Sequence, residues 1–414
     1  MRPSRTEEIR CAPTGDFNLK DNIAKIVFLV ILYYNVKTGS DVIKSDKGTT
    51  IVYTGGGTAG HIYPGLAVLF EMKERSGDSL RQVWIGSNQA MDRSLVENTG
   101  VEFFGIPAGK LRRYVSFRNF IDMFKFAAGI IRAFRILRRL KPAVVFSKGG
   151  YVTVPVVLAA RLLGIPTVSH ESDAEPGLAT KINSRFSTRV LVSFPETARH
   201  FHQTARDRVE VSGNPIRSSL YGGNRQRGLK KAGPGKEPVL LVLGGSQGAR
   251  QINNLIKDCL ENLLGLCRVI HQHGSWDAPP ERVPGYLPFD FIAEDLPDFL
   301  QAADLVVCRA GASTIWELAA LGKPSILIPL GTGSSRGDQQ TNARIFEKHG
   351  ASIVLTGDVS AEQLMEEVNG LLNDPLRLET MGKAAGNLAD KSGSEYISNI
   401  LLKEINVYDR NSNY

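Results

Sequence analysis

The chain has 414 residues, of which 42% are hydrophobic and 22% charged, with a formal net charge of +8. This is the composition of an ordinary globular protein with room for two or three domains, and it excludes a disordered or fibrous chain. Four cysteines without C-x-x-C spacing exclude a disulfide scaffold, and the seven histidines form no metal-ligand pattern. We therefore expect a protein of a reducing, cytoplasmic compartment without a metal site.

Residues 1–48 precede the first regular pattern. Their apolar run, 26–34, has about half of the roughly 20 residues that a membrane-spanning helix needs. No small-residue cleavage site follows convincingly, so a signal peptide is not favoured. An extension with one docked apolar segment, a membrane anchor and a translation start assigned too far upstream remain open.

Apolar strands alternate with helical stretches from residue 49 onwards. The predicted strands of the first half are 50–54, 81–86, 143–147, 166–169 and 188–193. The predicted helices between them include 64–76, 117–140 and 152–163. Such alternation is typical of a parallel sheet with helices on both faces. We therefore predict a Rossmann-like domain over 49–221.

The positive charge is concentrated in residues 110–148, which carry eleven lysines and arginines against one acid, Asp122. Within the predicted helix, apolar residues recur at three- and four-residue steps and basic residues every seven, so an apolar stripe lies beside a basic one. The stripe residues expected at a membrane are Phe117, Phe120, Phe124, Arg118, Lys125 and Arg132. This pattern suits a helix on an anionic membrane, or one whose apolar stripe faces the core. Nucleic acid is not expected as a partner, because no nucleic-acid-recognition motif accompanies the positive charge.

The segment 222–238, rich in Gly, Lys, Arg and Pro, has the composition of a linker. Strand–helix alternation resumes after it. The predicted strands of the second half are 239–243, 267–271, 304–308, 325–330 and 352–355. The sequence thus predicts an α/β protein in which two doubly wound Rossmann-like domains, 49–221 and 239–385, face a central cleft. The last segment, 386–414, is expected to form a helix that returns to the first domain.

Three predicted strands run into glycine turns, at 55–61 (GGGTAGH), 149–150 (GG) and 244–249 (GGSQGA). Glycine allows positive φ and close approach, so backbone amides can converge on a phosphate while a following helix N-terminus adds partial positive charge. Each turn alone is a weak signal, because glycines after a strand also occur in purely structural turns. Two such units in separate domains indicate a ligand with two phosphates between them.

Seven motifs occur in order between residues 49 and 405. They are GGGTAGHIYP at 55–64, GGYV at 149–152, HE at 170–171, GNPIR at 213–217, GGSQGA at 244–249, AGASTIWE at 310–317 and DQQTNA at 338–343. With these motifs the chain resembles the bacterial cell-wall N-acetylglucosaminyltransferases, which have the two-domain GT-B fold.

The resemblance implies transfer of GlcNAc from UDP-GlcNAc to the C4 hydroxyl of the MurNAc unit of undecaprenyl-pyrophosphoryl-MurNAc-pentapeptide (lipid I). The transfer inverts the anomeric carbon and gives lipid II for peptidoglycan. The implied location is peripheral, on the cytoplasmic face of the plasma (inner) membrane. The implied partners are UDP-GlcNAc, lipid I or a related lipid acceptor, an anionic membrane surface and possible cell-wall synthesis proteins. No cofactor and no essential metal are expected, because Arg217 can balance the charge of the departing UDP.

The same resemblance assigns roles to individual residues. Those expected to bind UDP-GlcNAc are Gly57, Thr58, Ala59, Asp173, Arg217, Ser246, Gln247, Ile292, Ala312, Ser313, Thr314, Glu317, Gln339 and Gln340. Those expected at the acceptor pyrophosphate are Gly56, Gly60, Gly149, Gly150 and Tyr151. Because the attacking hydroxyl must lose a proton, a general base is needed. His61 is the first candidate, and Glu171 and His170 are the second.

One loop departs from the family pattern, which reads His-Glu-Gln-Asn followed by Gly-x-x-Asn-Lys. Here the loop reads HESD at 170–173, and Thr180 replaces the second asparagine. The Asp173 carboxylate would repel an anionic substrate unless it is paired with Lys181 or Arg217. Another lipid acceptor, such as a diacylglycerol, therefore stays open. So does a catalytically silent scaffold that binds a UDP-sugar, although such a scaffold would need neither the base nor the sugar-binding residues.

Overall fold

Parallel strands form two separate sheets in the computed structural model, which describes residues 48–109, 117–245, 248–276, 279–331, 337–389 and 392–412. The predictions for the apolar run 26–34 lie outside these residues. The first sheet has the order β3-β2-β1-β4-β5-β6-β7 and the second the order β10-β9-β8-β11-β12-β13. The fold prediction of two doubly wound α/β domains is confirmed.

The strands have the following bounds. The first sheet contains β1 (Thr49–Thr54), β2 (Leu80–Ser87), β3 (Glu102–Ile106), β4 (Val144–Ser147), β5 (Thr167–Glu171), β6 (Arg189–Val192) and β7 (Val209–Val211). The second contains β8 (Val239–Leu243), β9 (Arg268–Gln272), β10 (Tyr286–Phe289), β11 (Leu305–Cys308), β12 (Ser325–Leu327) and β13 (Ser352–Val354).

The described helices cover both faces of each sheet. They are α1 (Ala59–Ser76), α2 (Ala90–Glu97), α3 (Phe117–Leu140), α4 (Thr153–Leu162), α5 (Leu178–Asn183), α6 (Gln203–Arg206), α7 (Arg225–Lys231), α8 (Arg250–Leu264), α9 (Leu296–Ala302), α10 (Ala312–Ala320), α11 (Asp338–Lys348), α12 (Ala361–Leu372), α13 (Pro375–Leu388) and α14 (Gly393–Ser412). Because helices cover both faces, β8 is buried at all five positions and reads as the unbroken apolar run VLLVL.

Three strands were absent from the sequence prediction: β3, β7 and β10. All three are edge strands, so each pairs with one neighbour only. β7 has three residues, of which two are partly buried and one is exposed, and β10 contains Pro288, which is tolerated at an edge. Edge strands need less apolar surface, and their sequence signal is correspondingly weak.

The predicted linker is folded onto the second domain. Its helix α7 packs against α9, where Arg227 and Lys231 donate hydrogen bonds to the carboxylate of Asp298. These two cations hold the pKa of Asp298 well below its usual range. Two basic residues of the segment predicted as a linker therefore neutralise Asp298, whose side chain is only 6% exposed.

Helix α14 packs against α1 and β4 of the first domain. Ile397, Ile400, Leu401 and Ile405 lie on one face of it and are buried in the cluster that contains Leu66. This spacing is that of an amphipathic helix against a core. The chain therefore returns from the second domain to the first at its C-terminal end.

Candidate active site

The first glycine turn is braced by a buried carboxylate. The N–H of Gly57 donates to both oxygens of Asp92 at 3.1 Å, and the hydroxyl of Ser87 donates to the same carboxylate at 2.6 Å. Gly57 has φ +86°, and a Cβ there would lie 2.7 Å from the ring of Tyr151. Only glycine fits this position. The Gly57 amide, expected to face the sugar nucleotide, is instead committed to Asp92, a residue that the motifs did not single out.

A pocket of about 290 Å³ opens beside this turn. It is lined by Gly56, Gly57, Thr58, His61, Gly150, Tyr151, Glu171, Asp173, Gly177, Leu178, Ala179 and Thr180. The fold thus brings the first two glycine turns together with the HESD loop. Three stretches that are far apart in sequence form one cavity because the carboxyl ends of β1, β4 and β5 lie side by side.

His61 lies partly buried in the wall of this pocket. Its ring packs on the second glycine turn: a Cβ at Gly150 would lie 3.2 Å from its Cδ2 atom and would overlap the carbonyl of Gly56. Gly150 also has φ +86°. The two glycine turns and His61 therefore form one packed unit, in which glycine leaves room for the imidazole ring.

The two alternative bases are held differently. The Glu171 carboxylate accepts backbone N–H groups from Ser172 at 3.0 Å, Asp173 at 3.2 Å and Gly177 at 3.1 Å, and so shapes the loop that forms the pocket wall. His170 is fully buried, and its Nε2 lies 3.0 Å from the carbonyl oxygen of Gly213. Burial, together with a nearby lysine, holds the pKa of His170 well below 6.5. His170 does not line the pocket, which argues against it as the base.

The Asp173 carboxylate connects the two domains. It accepts a hydrogen bond of 2.9 Å from the side-chain amide of Asn342 in α11, and the amide oxygen of Asn342 accepts the N–H of Ala174 at 2.9 Å. Burial, followed by the negative charge of Glu171, raises the pKa of Asp173 to about 7. The described side-chain donor to this carboxylate is neither Lys181 nor Arg217, the two cations whose pairing would have relieved the expected repulsion. The partner is the side-chain amide of Asn342 in the second domain. The sequence did not indicate this contact because the two residues are 169 positions apart.

Arg217 and Glu317 form a second connection between the domains. The Arg217 Nε and Nη2 atoms donate to the two carboxylate oxygens of Glu317 at 2.9 and 3.1 Å. The guanidinium also lies 5.1 Å from the ring centroid of Tyr63 in α1. Burial raises the pKa of Glu317, and the charge of Arg217 opposes that shift. Two residues assigned separately to UDP-GlcNAc thus bind each other in the structure.

Helices α1 and α10 begin next to each other, one in each domain. Neither has a side-chain N-cap at its first residue, since Thr58 and Gly311 make no capping bond. The hydroxyl of Ser313 lies 3.5 Å from the carbonyl oxygen of Gly60 across the cleft. Ala59 begins α1, and Ala312, Ser313 and Thr314 form the first turn of α10. Two helix N-termini so placed create a region that favours an anion.

The third glycine turn is held by Gln272 at the end of β9. Its side chain donates to the carbonyl of Gly245 at 3.0 Å and accepts the N–H of Ile292 at 2.9 Å. The amide N–H of Ile292 is therefore occupied, and its side chain is buried. Ser246 and Gln247, predicted at the UDP pyrophosphate, lie outside the described residues.

Gln339 and Gln340 lie at the start of α11, one turn before Asn342. The side-chain oxygen of Gln339 accepts the N–H of Leu330 at 3.1 Å, and Gln340 is partly buried. Both glutamines thus lie in the first turn of the helix that meets the HESD loop through Asn342.

Helix α3 has the bounds predicted from its periodicity. Its second half is packed into the first domain through Ile130, Ala133, Ile136, Leu137 and Leu140. Towards its beginning, Met123 is 50% and Phe124 63% exposed, and Lys125 and Arg132 are exposed too. The apolar stripe therefore faces the core in the second half of the helix, whereas Met123 and Phe124 face solvent; contact with a membrane stays a prediction. The side chains of Phe117, Arg118 and Phe120 lie outside the described part.

The described ranges contain neither a membrane-spanning helix nor a metal-binding cluster. No described helix is both long and apolar enough to cross a bilayer. Within the same ranges, no group of three or more His, Cys, Asp or Glu side chains is arranged to hold a metal ion.

The chain matches two family models. Residues 51–192 match the glycosyltransferase family 28 N-terminal domain, and residues 239–397 match the glycosyltransferase family 28 C-terminal domain. The first matched segment contains β1 from Ile51 through β6, the second contains all strands of the second sheet, and β7 lies between the two segments. The segments between and beyond them include the folded linker and the end of α14.

Curated relatives cover most of the chain. A protein of Treponema denticola is 45% identical over 379 residues, which are 85% of this chain and 96% of the relative. One of Clostridium botulinum is 44% identical over 352 residues, which are 84% of this chain and 98% of the relative. Both are called UDP-N-acetylglucosamine--N-acetylmuramyl-(pentapeptide) pyrophosphoryl-undecaprenol N-acetylglucosamine transferase.

Among solved structures, the crystal structure of Acinetobacter baumannii MurG superposes with a TM-score of 0.65. It shares 24% sequence identity with this chain, and the superposition covers 86% of this chain and 99% of that one. At this identity the similarity establishes the two-domain fold.

Proposed function

Because the chain belongs to glycosyltransferase family 28, we propose that it transfers GlcNAc from UDP-GlcNAc to the C4 hydroxyl of the MurNAc unit of lipid I. The product is lipid II, formed with inversion at the anomeric carbon. Relatives at 44–45% identity carry this activity in their names. The structural observation that carries the proposal is the meeting of the uncapped N-termini of α1 and α10 between the domains.

The donor is proposed to bind on the second domain. A sugar nucleotide brings two phosphates, and the first turn of α10 offers free backbone N–H groups beside the Arg217 guanidinium. Glu317 accepts the ribose hydroxyls, and the Ile292 carbonyl faces the uracil, since its N–H is occupied. Gln339 and Gln340 contact the sugar hydroxyls, because a side-chain amide can both donate and accept.

Donor binding is then expected to disrupt an ion pair that already exists in this chain. Arg217 and Glu317 hold each other in a two-bond ion pair. When phosphate approaches Arg217 and ribose approaches Glu317, the pair must loosen. We expect the new charge-assisted contacts to replace it and to alter how the two domains are held together.

The acceptor is proposed to enter the pocket on the first domain, with His61 as general base. His61 lines the pocket, whereas His170 is buried away from it and Glu171 is engaged by three backbone amides. As the C4 oxygen attacks the anomeric carbon, His61 takes its proton and the bond to UDP breaks. The developing charge on UDP is balanced by Arg217 and the α10 N-terminus, so no metal ion is required for this step.

The protein is proposed to act as a peripheral protein on the cytoplasmic face of the inner membrane. The exposed Met123 and Phe124 lie on the same helix as the basic residues Lys125 and Arg132. An apolar contact surrounded by cations suits an anionic lipid surface. A lipid-linked acceptor would then reach the pocket from the membrane, where other cell-wall synthesis proteins can be partners.

The deciding experiment is transfer of radiolabelled GlcNAc from UDP-GlcNAc to a short-chain lipid I analogue, with a diacylglycerol in a parallel reaction. Product with lipid I alone supports the proposal and makes Asp173 a tolerated replacement. Product with diacylglycerol alone assigns the altered loop to another acceptor. No product with either would favour a catalytically silent UDP-sugar-binding protein.

A further inference from the structure

Lys148 is a buried cation that the motifs passed over. It follows β4 and precedes the second glycine turn, and only 2% of it is exposed. Its backbone N–H donates to Thr54 at 2.8 Å, and its Nζ donates to the hydroxyl of Ser172 at 2.8 Å. Burying an ammonium is strongly unfavourable unless anions and hydrogen bonds compensate. The compensation must come from its surroundings.

The compensating groups are in the HESD loop. The carboxylates of Glu171 and Asp173 both attract the Lys148 ammonium and counter the effect of burial, which lowers its pKa. Ser172, between them, hydrogen-bonds in turn to the side-chain oxygen of Asn214. Lys148 therefore lies behind the loop whose other side lines the pocket, and it does not line the pocket itself.

We propose that Lys148 is a positioning residue for the acceptor side of the site. Its ammonium holds Ser172 in place and offsets Glu171 and Asp173, so that a loop with two carboxylates can form the wall of a pocket that takes an anion. Glu171 has three backbone N–H donors of its own. The Asp173 carboxylate accepts a side-chain hydrogen bond from Asn342, and the Lys148 ammonium opposes the rise in its pKa that burial and Glu171 cause. The inference rests on the proposed function for the identity of the acceptor.

The test is a double-mutant cycle on the full chain with Lys148→Met, Asp173→Asn and the double variant. Lys148→Met leaves both carboxylates beside the pocket without their cation. It is expected to raise KM for the lipid I analogue about tenfold, with a smaller change in kcat, and to lower the melting temperature. Adding Asp173→Asn removes one carboxylate and is expected to bring KM back to within about threefold of the Asp173→Asn single variant.

Two further variants separate the electrostatic role from simple packing. Ser172→Ala keeps the ammonium but removes its hydrogen-bond partner, and Asp173→Asn is not expected to rescue it. Lys73→Met removes an exposed lysine from α1 in the same domain and is expected to change neither KM nor the melting temperature. The Kd for UDP should be unchanged in Lys148→Met, Ser172→Ala and Lys73→Met.

If Lys148→Met raises KM and lowers the melting temperature equally with and without Asp173→Asn, the inference is overturned. Charge compensation requires that removing one carboxylate restores part of what the loss of the cation costs. If Lys148→Met does not fold, the KM and melting temperature of the double variant are compared directly with those of Asp173→Asn. A double variant that also fails to fold would overturn the proposed role of Lys148. The melting-temperature cycle does not depend on the acceptor. A wild-type chain that is inactive on lipid I would therefore overturn the proposed function while the role of Lys148 is still decided.

Discussion

Arg217 and Glu317 join the two domains through two hydrogen bonds of 2.9 and 3.1 Å, one to each carboxylate oxygen. Arg217 follows the last strand of the first domain, and Glu317 lies in α10 of the second. Their side chains are 29% and 14% exposed, so the pair is partly shielded from water. Geometry of this kind makes an ion pair more stable than an ordinary surface pair.

Removal of either partner should therefore destabilise the chain. Arg217→Ala leaves the Glu317 carboxylate buried without its cation, and we expect a loss of about 1–3 kcal/mol in the free energy of unfolding. Glu317→Ala should cost a similar amount, and the double variant less than the sum. Urea denaturation of the four proteins measures this coupling. Strictly additive losses in the free energy of unfolding would mean that the two side chains do not stabilise each other.

His61→Ala should lower kcat at least about 100-fold, since general-base catalysis contributes that much or more. The Kd for UDP should change little, because the proposed donor site is on the second domain. Steady-state kinetics and calorimetric UDP titration measure the two effects separately. Unchanged kcat would remove His61 as the base, and Glu171→Gln would then be the next variant to assay.

Asp173→Asn should change the pH dependence of stability. The folded-state pKa of Asp173 is raised to about 7, above that of an unfolded aspartate, mainly by burial. Its contribution to stability is therefore present in acid and is lost as pH rises from about 4 to about 7, because the unfolded chain loses this proton first and is favoured by its release. Asparagine stays neutral, so the variant should gain in melting temperature over wild type across this window. A constant difference between the two curves would contradict this assignment.

Ionisation of Asp173 should also affect the KM for the acceptor. As the Asp173 carboxylate forms near pH 7, it places negative charge beside a pocket proposed to take an anion, so KM for the acceptor should rise with pH in the wild type. Asp173→Asn should flatten that rise. Measuring KM between pH 6 and pH 8.5 tests it, and equal slopes in both proteins would assign the pH dependence to another group.

Met123→Ser with Phe124→Ser should weaken binding to vesicles rich in anionic phospholipid about tenfold, because both exposed side chains are proposed to enter the lipid surface. The melting temperature should stay the same, since neither side chain is buried. Leu376→Ser, at a residue 73% exposed on α13, is the matched control and should leave binding unchanged. Loss of folding in the double variant would instead indicate a packing role.

Much of the fold could be predicted from local pattern. The periodicity over 117–140 predicted α3 with its observed bounds, because an amphipathic helix of that length carries a long, repeated signal. The central strands were equally clear, since burial on both faces requires continuous apolar runs. Edge strands such as β7 escaped detection because a short strand with one neighbour needs little apolar sequence.

The sequence by itself determined the alternation of strands and helices, the glycine turns and the family motifs, because these depend on neighbouring residues. Only the tertiary structure decided which side chains face the pocket and what holds them. His170 and Glu171 are adjacent in sequence, yet one is buried in the core and the other lines the pocket, since successive strand residues point to opposite faces. Likewise Asp173 meets Asn342, 169 positions away; burial and the charge of Glu171 raise its pKa, and this contact between domains opposes the rise.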